Sequence, residues 1–237
     1  MSVKAVIFDK DGTVLDFDAF WLPVAVKATE VINAKLGVTD VPSEQILEAM
    51  GMVGGVASIM GSVCHGTYRD MAEDMNRVFG RYGYSFDTDM LTELTVKVYH
   101  ESADAGEIKP ACDNIKEVME ELKRRNIKIV LATSDAPEVT AECLKGLGID
   151  EYFDLVFTDD GTHPSKPDPV MINKVCELFG LEKSEVVMVG DTLTDMNFAI
   201  NGGIRSVGLA KTEENKSILL EKTDTVIPDI SYLNKVI

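Results

Sequence analysis

Asp9 and Asp11 stand two residues apart in Asp9-Lys10-Asp11-Gly12-Thr13, directly after the apolar run Ala5-Val6-Ile7-Phe8. Carboxylates this close at the mouth of a buried strand repel, and each raises the other's pKa unless a cation lies between them. The pair therefore points to a bound metal or to acid/base chemistry. Three later segments offer what such chemistry needs: Thr133-Ser134-Asp135, Lys166 within Ser165-Lys166-Pro167-Asp168-Pro169, and Gly190-Asp191-Thr192-Leu193-Thr194-Asp195. Carboxylates suit a hard cation, a hydroxyl and an ammonium suit an anion, and glycines let backbone approach closely. Together they suit phosphoryl transfer.

Taken singly, each residue has a plainer reading. Asp-Gly is a common turn pair, although a turn at Asp11 leaves Asp9 and the other loops unexplained. Thr133 and Ser134 alone read as caps of a helix opening near Pro137. Lys166 alone is a solvated loop lysine, and Asp195 favours the start of a helix running to Ile200 through its dipole. Asp16 reads as closing a turn, and Asp159 and Asp160 as rim charges. His65, His100 and His163 lack the mutual spacing of a metal site, and Cys64 and His65, being adjacent, seldom aim their side chains at each other.

The elements that must position these residues follow from the pattern. From Glu107 onward β and α alternate, which predicts an α/β fold: a Rossmann-like, mostly parallel sheet with helices on both faces. Strands are expected at Ile127–Ala132, Asp154–Phe157, Val186–Val189 and Arg205–Leu209, with an edge strand at Thr225–Ile227. Between Phe17 and Ala105 the texture changes to long amphipathic stretches, at Ala19–Leu36, Ser43–Met50, Tyr68–Tyr82 and Thr88–Ser102, with no clear strand. The expected organisation is a core from residues 1–16 and 106–237 and an all-helical cap from residues 17–105, hinged near Asp16-Phe17-Asp18 and Asp104-Ala105-Gly106. Ligands of open parallel sheets bind at the carboxyl ends of the strands, where all four chemical segments fall.

Composition narrows the partners. The 237 residues leave room for one large domain or two modest ones. No apolar run reaches the ~20 residues of a membrane span, and Met1-Ser2-Val3-Lys4 has no signal-peptide pattern. A net charge of −17 argues against nucleic acid or an anionic membrane as partner. The four cysteines form no CxxC pair, so neither a disulfide framework nor a zinc site is expected, and a cytoplasmic location fits. The oligomeric state is not legible.

The four segments, in order, at strand ends and with a helical insertion after the first, resemble the haloacid dehalogenase-like hydrolases. The resemblance lies with the helical-cap phosphatase branch that includes phosphoglycolate phosphatase. Its first motif, DxDGT with an apolar pair, stands as Asp9-Lys10-Asp11-Gly12-Thr13-Val14-Leu15; Thr133, Lys166 and Gly190-Asp191 with Asp195 match the second, third and fourth. The resemblance implies Mg²⁺-dependent hydrolysis of a small phosphomonoester, phosphoglycolate-like or a sugar phosphate, through an aspartyl-phosphate. Asp9 would be the nucleophile and Asp11 the general acid and base. Asp9, the Asp11 backbone carbonyl, Asp191 and Asp195 would hold Mg²⁺, Asp195 directly or through water. Lys166 and Thr133 would grip the phosphoryl oxygens, with the Gly12 and Ser134 amides assisting.

Two positions depart from the family pattern. Lys10 stands where an apolar residue is usual, so its side chain is expected to reach outward or touch substrate, and Ser134-Asp135 stands where Asn-Lys is frequent. Both bear on substrate identity rather than on the chemistry. In the cap, Met50-Gly51-Met52-Val53-Gly54-Gly55-Val56 reads as an interhelical turn by composition and as a substrate-facing loop by resemblance. Arg69 or His65 would receive a second anionic group of the substrate. A phosphosugar mutase would use the same motifs, and a regulatory binding module could keep them without turnover. Asp11 argues against a dehalogenase. A phosphonate hydrolase would need a cap lysine, yet Lys27, Lys35 and Lys97 fall on helical stretches.

Overall fold

The computed structural model describes residues 2–237, in two compact units: the residues up to Asp16 with Ile108–Ile237, and Phe17–Glu107. Strand β1 (Ala5–Phe8) is buried along its whole length. The chain then enters the second unit through α1 (Phe17–Leu36) and α2 (Ser43–Ala49). Strands β2 (Met52–Val53) and β3 (Val56–Ala57) follow, then α3 (Ser62–His65), α4 (Tyr68–Arg81) and α5 (Thr88–Glu101).

Local sequence sets these helix starts. Thr67 and Asp70 form a capping box at α4, and the Asp87 side chain accepts from the Met90 amide at α5. The unit closes over Phe20, Val24, Ile32, Ile46, Met75, Phe79, Leu91 and Val98, all at most 3% exposed. One expectation needs correcting. The Met50–Val56 segment is not simply a loop between helices, because Met52–Val53 pairs antiparallel with Val56–Ala57 around Gly54 and Gly55. Both glycines have positive φ, 61° and 81°, as a tight hairpin turn requires. Strands of two residues are too short to show a period-two pattern.

The first unit resumes with α6 (Ile115–Arg124), β4 (Lys128–Ala132), α7 (Pro137–Leu147), β5 (Leu155–Phe157) and α8 (Val170–Phe179). It ends with β6 (Val186–Gly190), α9 (Leu193–Gly202), β7 (Arg205–Leu209), α10 (Glu213–Leu219) and β8 (Val226–Ile227). The six strands run in the order β5-β4-β1-β6-β7-β8, with β8 at the edge as expected. All pairings are parallel: Phe8 pairs with Leu131 on one side and Val189 on the other.

Both faces of this sheet carry helices. Ala5, Ile7, Val130, Ala132, Val186 and Met188 pack against Met171, Ile172 and Val175 of α8 and Phe198 and Ala199 of α9. The alternate residues Val6, Phe8, Ile129, Leu131, Val187 and Val189 are also fully buried. Coverage of both faces is why these strands read as unbroken apolar runs. The chain steps from β1 to β4 and β5 on one side, and β6 to β8 lie on the other, so the topological switch falls at the carboxyl end of β1. That is where an open sheet leaves a crevice.

Candidate active site

Asp9 is the first residue past β1, held at the switch point by its amide donating to Val189 O at 2.9 Å. The chain then turns tightly: the Lys10 carbonyl accepts from the Val14 and Leu15 amides, both at 2.9 Å. Gly12 sits at φ 76°, and a Cβ there would land on the Asp191 carboxylate. Glycine is required twice over, by backbone conformation and by close approach. The Gly12 amide, expected to assist the phosphoryl group, donates instead to Leu15 O at 2.8 Å. Gly12 is thus corrected from an anion donor to a steric allowance, because the tight turn consumes its N–H.

Asp191 follows β6 directly, and its Oδ1 accepts from the buried Thr13 hydroxyl at 3.3 Å. Asp195 lies in the first turn of α9, where it forms a capping box with Thr192: Oδ2 accepts from the Thr192 amide at 3.1 Å and hydroxyl at 2.7 Å. A Cβ at Gly190 would strike this carboxylate, so Gly190 leaves the room Asp195 occupies. Lys166 comes from the loop before α8, with its side chain 5% exposed. Its ammonium donates to Asp9 Oδ1 at 2.5 Å and to Asp195 Oδ1 at 2.7 Å. Lys166 is therefore no solvated loop lysine.

Thr133, one residue past β4, is buried; its amide donates to Phe157 O at 3.1 Å and its hydroxyl accepts from the Asp135 amide at 3.2 Å. Neither Thr133 nor Ser134 caps α7, whose N-cap is Ala136 without a side-chain bond. Ser134 is exposed beside Thr133. Lys10 contradicts its expectation. It neither reaches outward nor faces a substrate, because its side chain is fully buried and its ammonium lies 2.8 Å from Asp11 Oδ1 and 2.7 Å from Asp135 Oδ2. In the second unit Arg69 pairs with Asp89 at 2.5 Å and Glu73 at 3.4 Å, which engages the cation expected to receive a second anionic group. His65 Nδ1 sits 2.8 Å from Gly61 O.

Oxygens of Asp9, Asp191 and Asp195 all lie within 4.8 Å of one another. Three gathered carboxylates face the one ammonium of Lys166, so ionisation of all leaves an excess of negative charge. The strain shows in the pKa values. Burial, offset in part by Lys166 and reinforced by Asp195 and Asp11, pushes Asp9 up to about 7. Burial, with Asp9 and Asp195, holds Asp191 well above the ordinary carboxylate range. Lys166 is held above its usual value because Asp195 and Asp9 outweigh its burial. An all-oxygen donor set with unbalanced charge suits a hard divalent cation.

Sequence reasoning missed two parts of this arrangement. The Thr192-x-x-Asp195 spacing is a capping signal legible in the sequence, whereas the Thr13 contact to Asp191 has no local signal.

A family model described as haloacid dehalogenase-like hydrolase matches residues 3–203. A phosphoglycolate phosphatase from Vibrio parahaemolyticus is 30% identical over 240 residues, covering 99% of this chain and 96% of that protein. Pyrophosphatase PpaX from Bacillus cereus is 25% identical, covering 99% of this chain and 100% of its own. Among solved structures, a predicted phosphoglycolate phosphatase from Haemophilus somnus superposes with a TM-score of 0.74 at 19% identity, covering 100% of this chain and 98% of that one. That likeness shows the shared fold.

Proposed function

The chain belongs to the haloacid dehalogenase-like hydrolases and is a hydrolase of the phosphatase type, and from that premise we propose that it releases phosphate from a small phosphomonoester in a Mg²⁺-dependent reaction. The observation that carries this reading is the gathering of Asp9, Asp191 and Asp195 within 4.8 Å at the switch point, with Lys166 bonded to two of them. Asp9, the Asp11 backbone carbonyl and Asp191 would hold Mg²⁺. Asp195, whose two oxygens already accept from Lys166 and Thr192, would contribute through water. A cation held there would supply neutralisation of the charge that otherwise keeps an anionic nucleophile from an anionic ester.

The protein groups then divide the reaction. The Asp9 carboxylate attacks phosphorus; a bond forms from phosphorus to Asp9 as the bond to the leaving oxygen breaks. Asp11 gives that oxygen its proton and afterwards takes one from the water that hydrolyses the aspartyl-phosphate. Lys166 and the Thr133 hydroxyl bind the phosphoryl oxygens, with the Ser134 amide beside them. These groups belong to the sheet unit and touch what every ester shares, so selection among leaving groups is assigned to the helical unit of residues 17–105.

The test is phosphate release with Mg²⁺ from a panel holding phosphoglycolate, sugar phosphates, simple alkyl phosphates, p-nitrophenyl phosphate and inorganic pyrophosphate. The relatives make phosphoglycolate and pyrophosphate the first to compare. Release from at least one ester supports the reading. Isomerisation of a sugar phosphate without release marks a mutase, and binding without turnover a regulatory module; either overturns it.

Metal binding carries a pH signature. Asp9 rises from 3.8 to about 7 on folding, so between these values the folded chain binds more protons than the unfolded one, and stability from this group falls as pH rises through the window. Mg²⁺ must displace that proton. The rise in Tm on adding Mg²⁺ is therefore expected to be larger at pH 8 than at pH 6, measured by thermal unfolding with and without chelator. Equal shifts at the two pH values contradict the assignment of Asp9 as a ligand.

A further inference from the structure

The two departures from the family pattern meet in space. Lys10 Nζ donates to Asp11 Oδ1 at 2.8 Å and lies 2.7 Å from Asp135 Oδ2, the latter an ion pair without hydrogen-bond alignment. The Lys10 side chain is fully buried, while Asp11 and Asp135 side chains are 17% and 20% exposed. We propose that Lys10, backed by Asp135, is a positioning residue that fixes the Asp11 carboxylate for proton transfer to the leaving oxygen. This assignment rests on the phosphatase reading, in which Asp11 is the acid.

Three observations support it. First, an ammonium withdrawn wholly from water costs several kcal/mol unless compensated, and the two carboxylates compensate it from opposite loops. Second, those loops are themselves fixed. The Lys10 carbonyl accepts from the Thr13, Val14 and Leu15 amides of the first turn. The Asp135 amide donates to the Thr133 hydroxyl at 3.2 Å, and its carbonyl accepts from the Asp159 amide at 2.8 Å. One buried side chain thus ties the acid to the segment that carries the phosphoryl-binding hydroxyl. Third, an exposed carboxylate on a turn samples several rotamers, whereas one bonded to an immobile donor is restricted, and misorientation of a catalytic group is costly to rate.

A purely structural ion cluster would be replaceable by neutral groups, since removing both partners of a buried pair is often neutral for stability. The experiment uses that distinction. The full chain is compared as wild type, Asp11→Asn, Lys10→Met, Lys10→Met with Asp135→Asn, and that pair with Asp11→Asn added. Each is assayed on p-nitrophenyl phosphate, whose leaving group needs little protonation, and on the alkyl phosphate that wild type hydrolyses fastest. The readout is kcat/KM, which covers steps only through departure of the alcohol.

Asp11→Asn is expected to lower the alkyl ester by about 10²–10⁴-fold and the aryl ester far less. Lys10→Met/Asp135→Asn is expected to fold with a Tm close to wild type, to lose about tenfold or more on the alkyl ester and to stay within about threefold on the aryl ester. Adding Asp11→Asn to it should produce less than the product of the separate losses, as for residues acting as a unit. The paired variant keeps the test open should Lys10→Met alone fail to fold. Equal losses on both esters, wild-type activity of the paired variant, or full additivity with Asp11→Asn overturns the role of Lys10. If Asp11→Asn itself fails to discriminate the esters, Asp11 is not the acid and this assignment falls while the phosphatase reading stands; if wild type releases phosphate from no member of the panel, both fall.

Discussion

Asp9→Asn is expected to abolish turnover while leaving the fold intact or firmer. Loss of a nucleophile lowers kcat by about 10⁴-fold or more, and no phosphoprotein should be recovered after acid quench with a labelled ester. Stability should move the other way. The Asp9 carboxylate is buried beside Asp195 and Asp11, and its ionisation above about pH 7 disfavours the metal-free folded chain. An amide removes that charge and still offers Oδ1 to Lys166. The metal-free variant should therefore unfold at the same or a higher temperature than wild type at pH 8, a pattern expected where function is bought with strain. A variant still labelled at position 9, or one with normal turnover, would refute the nucleophile assignment.

Lys166→Met is expected to lose both activity and stability. The lysine side chain is 5% exposed and its two partners, Asp9 and Asp195, are 12% and 1% exposed, so solvent screens this cluster little. Removing one member of a buried charged cluster typically costs about 3–5 kcal/mol, which for a chain of this size is a fall in Tm of roughly 10 °C. Turnover should drop by about 10²–10³-fold, the usual effect of losing one donor to the transferring group. Mg²⁺ should restore part of the stability, since it answers the same excess of negative charge, but not the turnover. A variant with unchanged Tm in chelator would show that Lys166 does not hold the carboxylates together, and one with normal kcat would remove it from the phosphoryl site.

The contrast between these variants follows from which side of the charge imbalance each removes. Asp9 adds to the excess and Lys166 offsets it. Both effects are local to the carboxyl end of the sheet, where β1 is held in register between β4 and β6.

Much of the site was legible because its residues follow strands whose apolar runs are unambiguous. Ala5–Phe8 and Val186–Gly190 are buried on both faces, so their ends could be placed to within a residue, and Asp9 and Asp191 with them. Helix limits were also local information, set by pairs such as Thr67 with Asp70. The hairpin at Met52–Ala57 was not legible, since its strands are two residues long and its glycines equally suit an open turn.

What the sequence by itself determined is the inventory and its order: paired aspartates after the first strand, a hydroxyl after the next, a lysine loop, and Gly190-Asp191 with Asp195 after another. Residue type and local periodicity suffice for that, because they act over a few residues. What only the tertiary structure decided is the pairing. Lys166 bonds to Asp9 and Asp195 across 157 and 29 residues, Gly12 makes room for Asp191, and Lys10 turns inward to Asp11 and Asp135 rather than outward to solvent. Those contacts depend on strand order, which sets β1 between β4 and β6. A lysine flanked by two aspartates has no local reason to be buried; it is buried because the neighbouring strand delivers a second carboxylate to the same point, and the gathered charges stabilise together what none would tolerate alone.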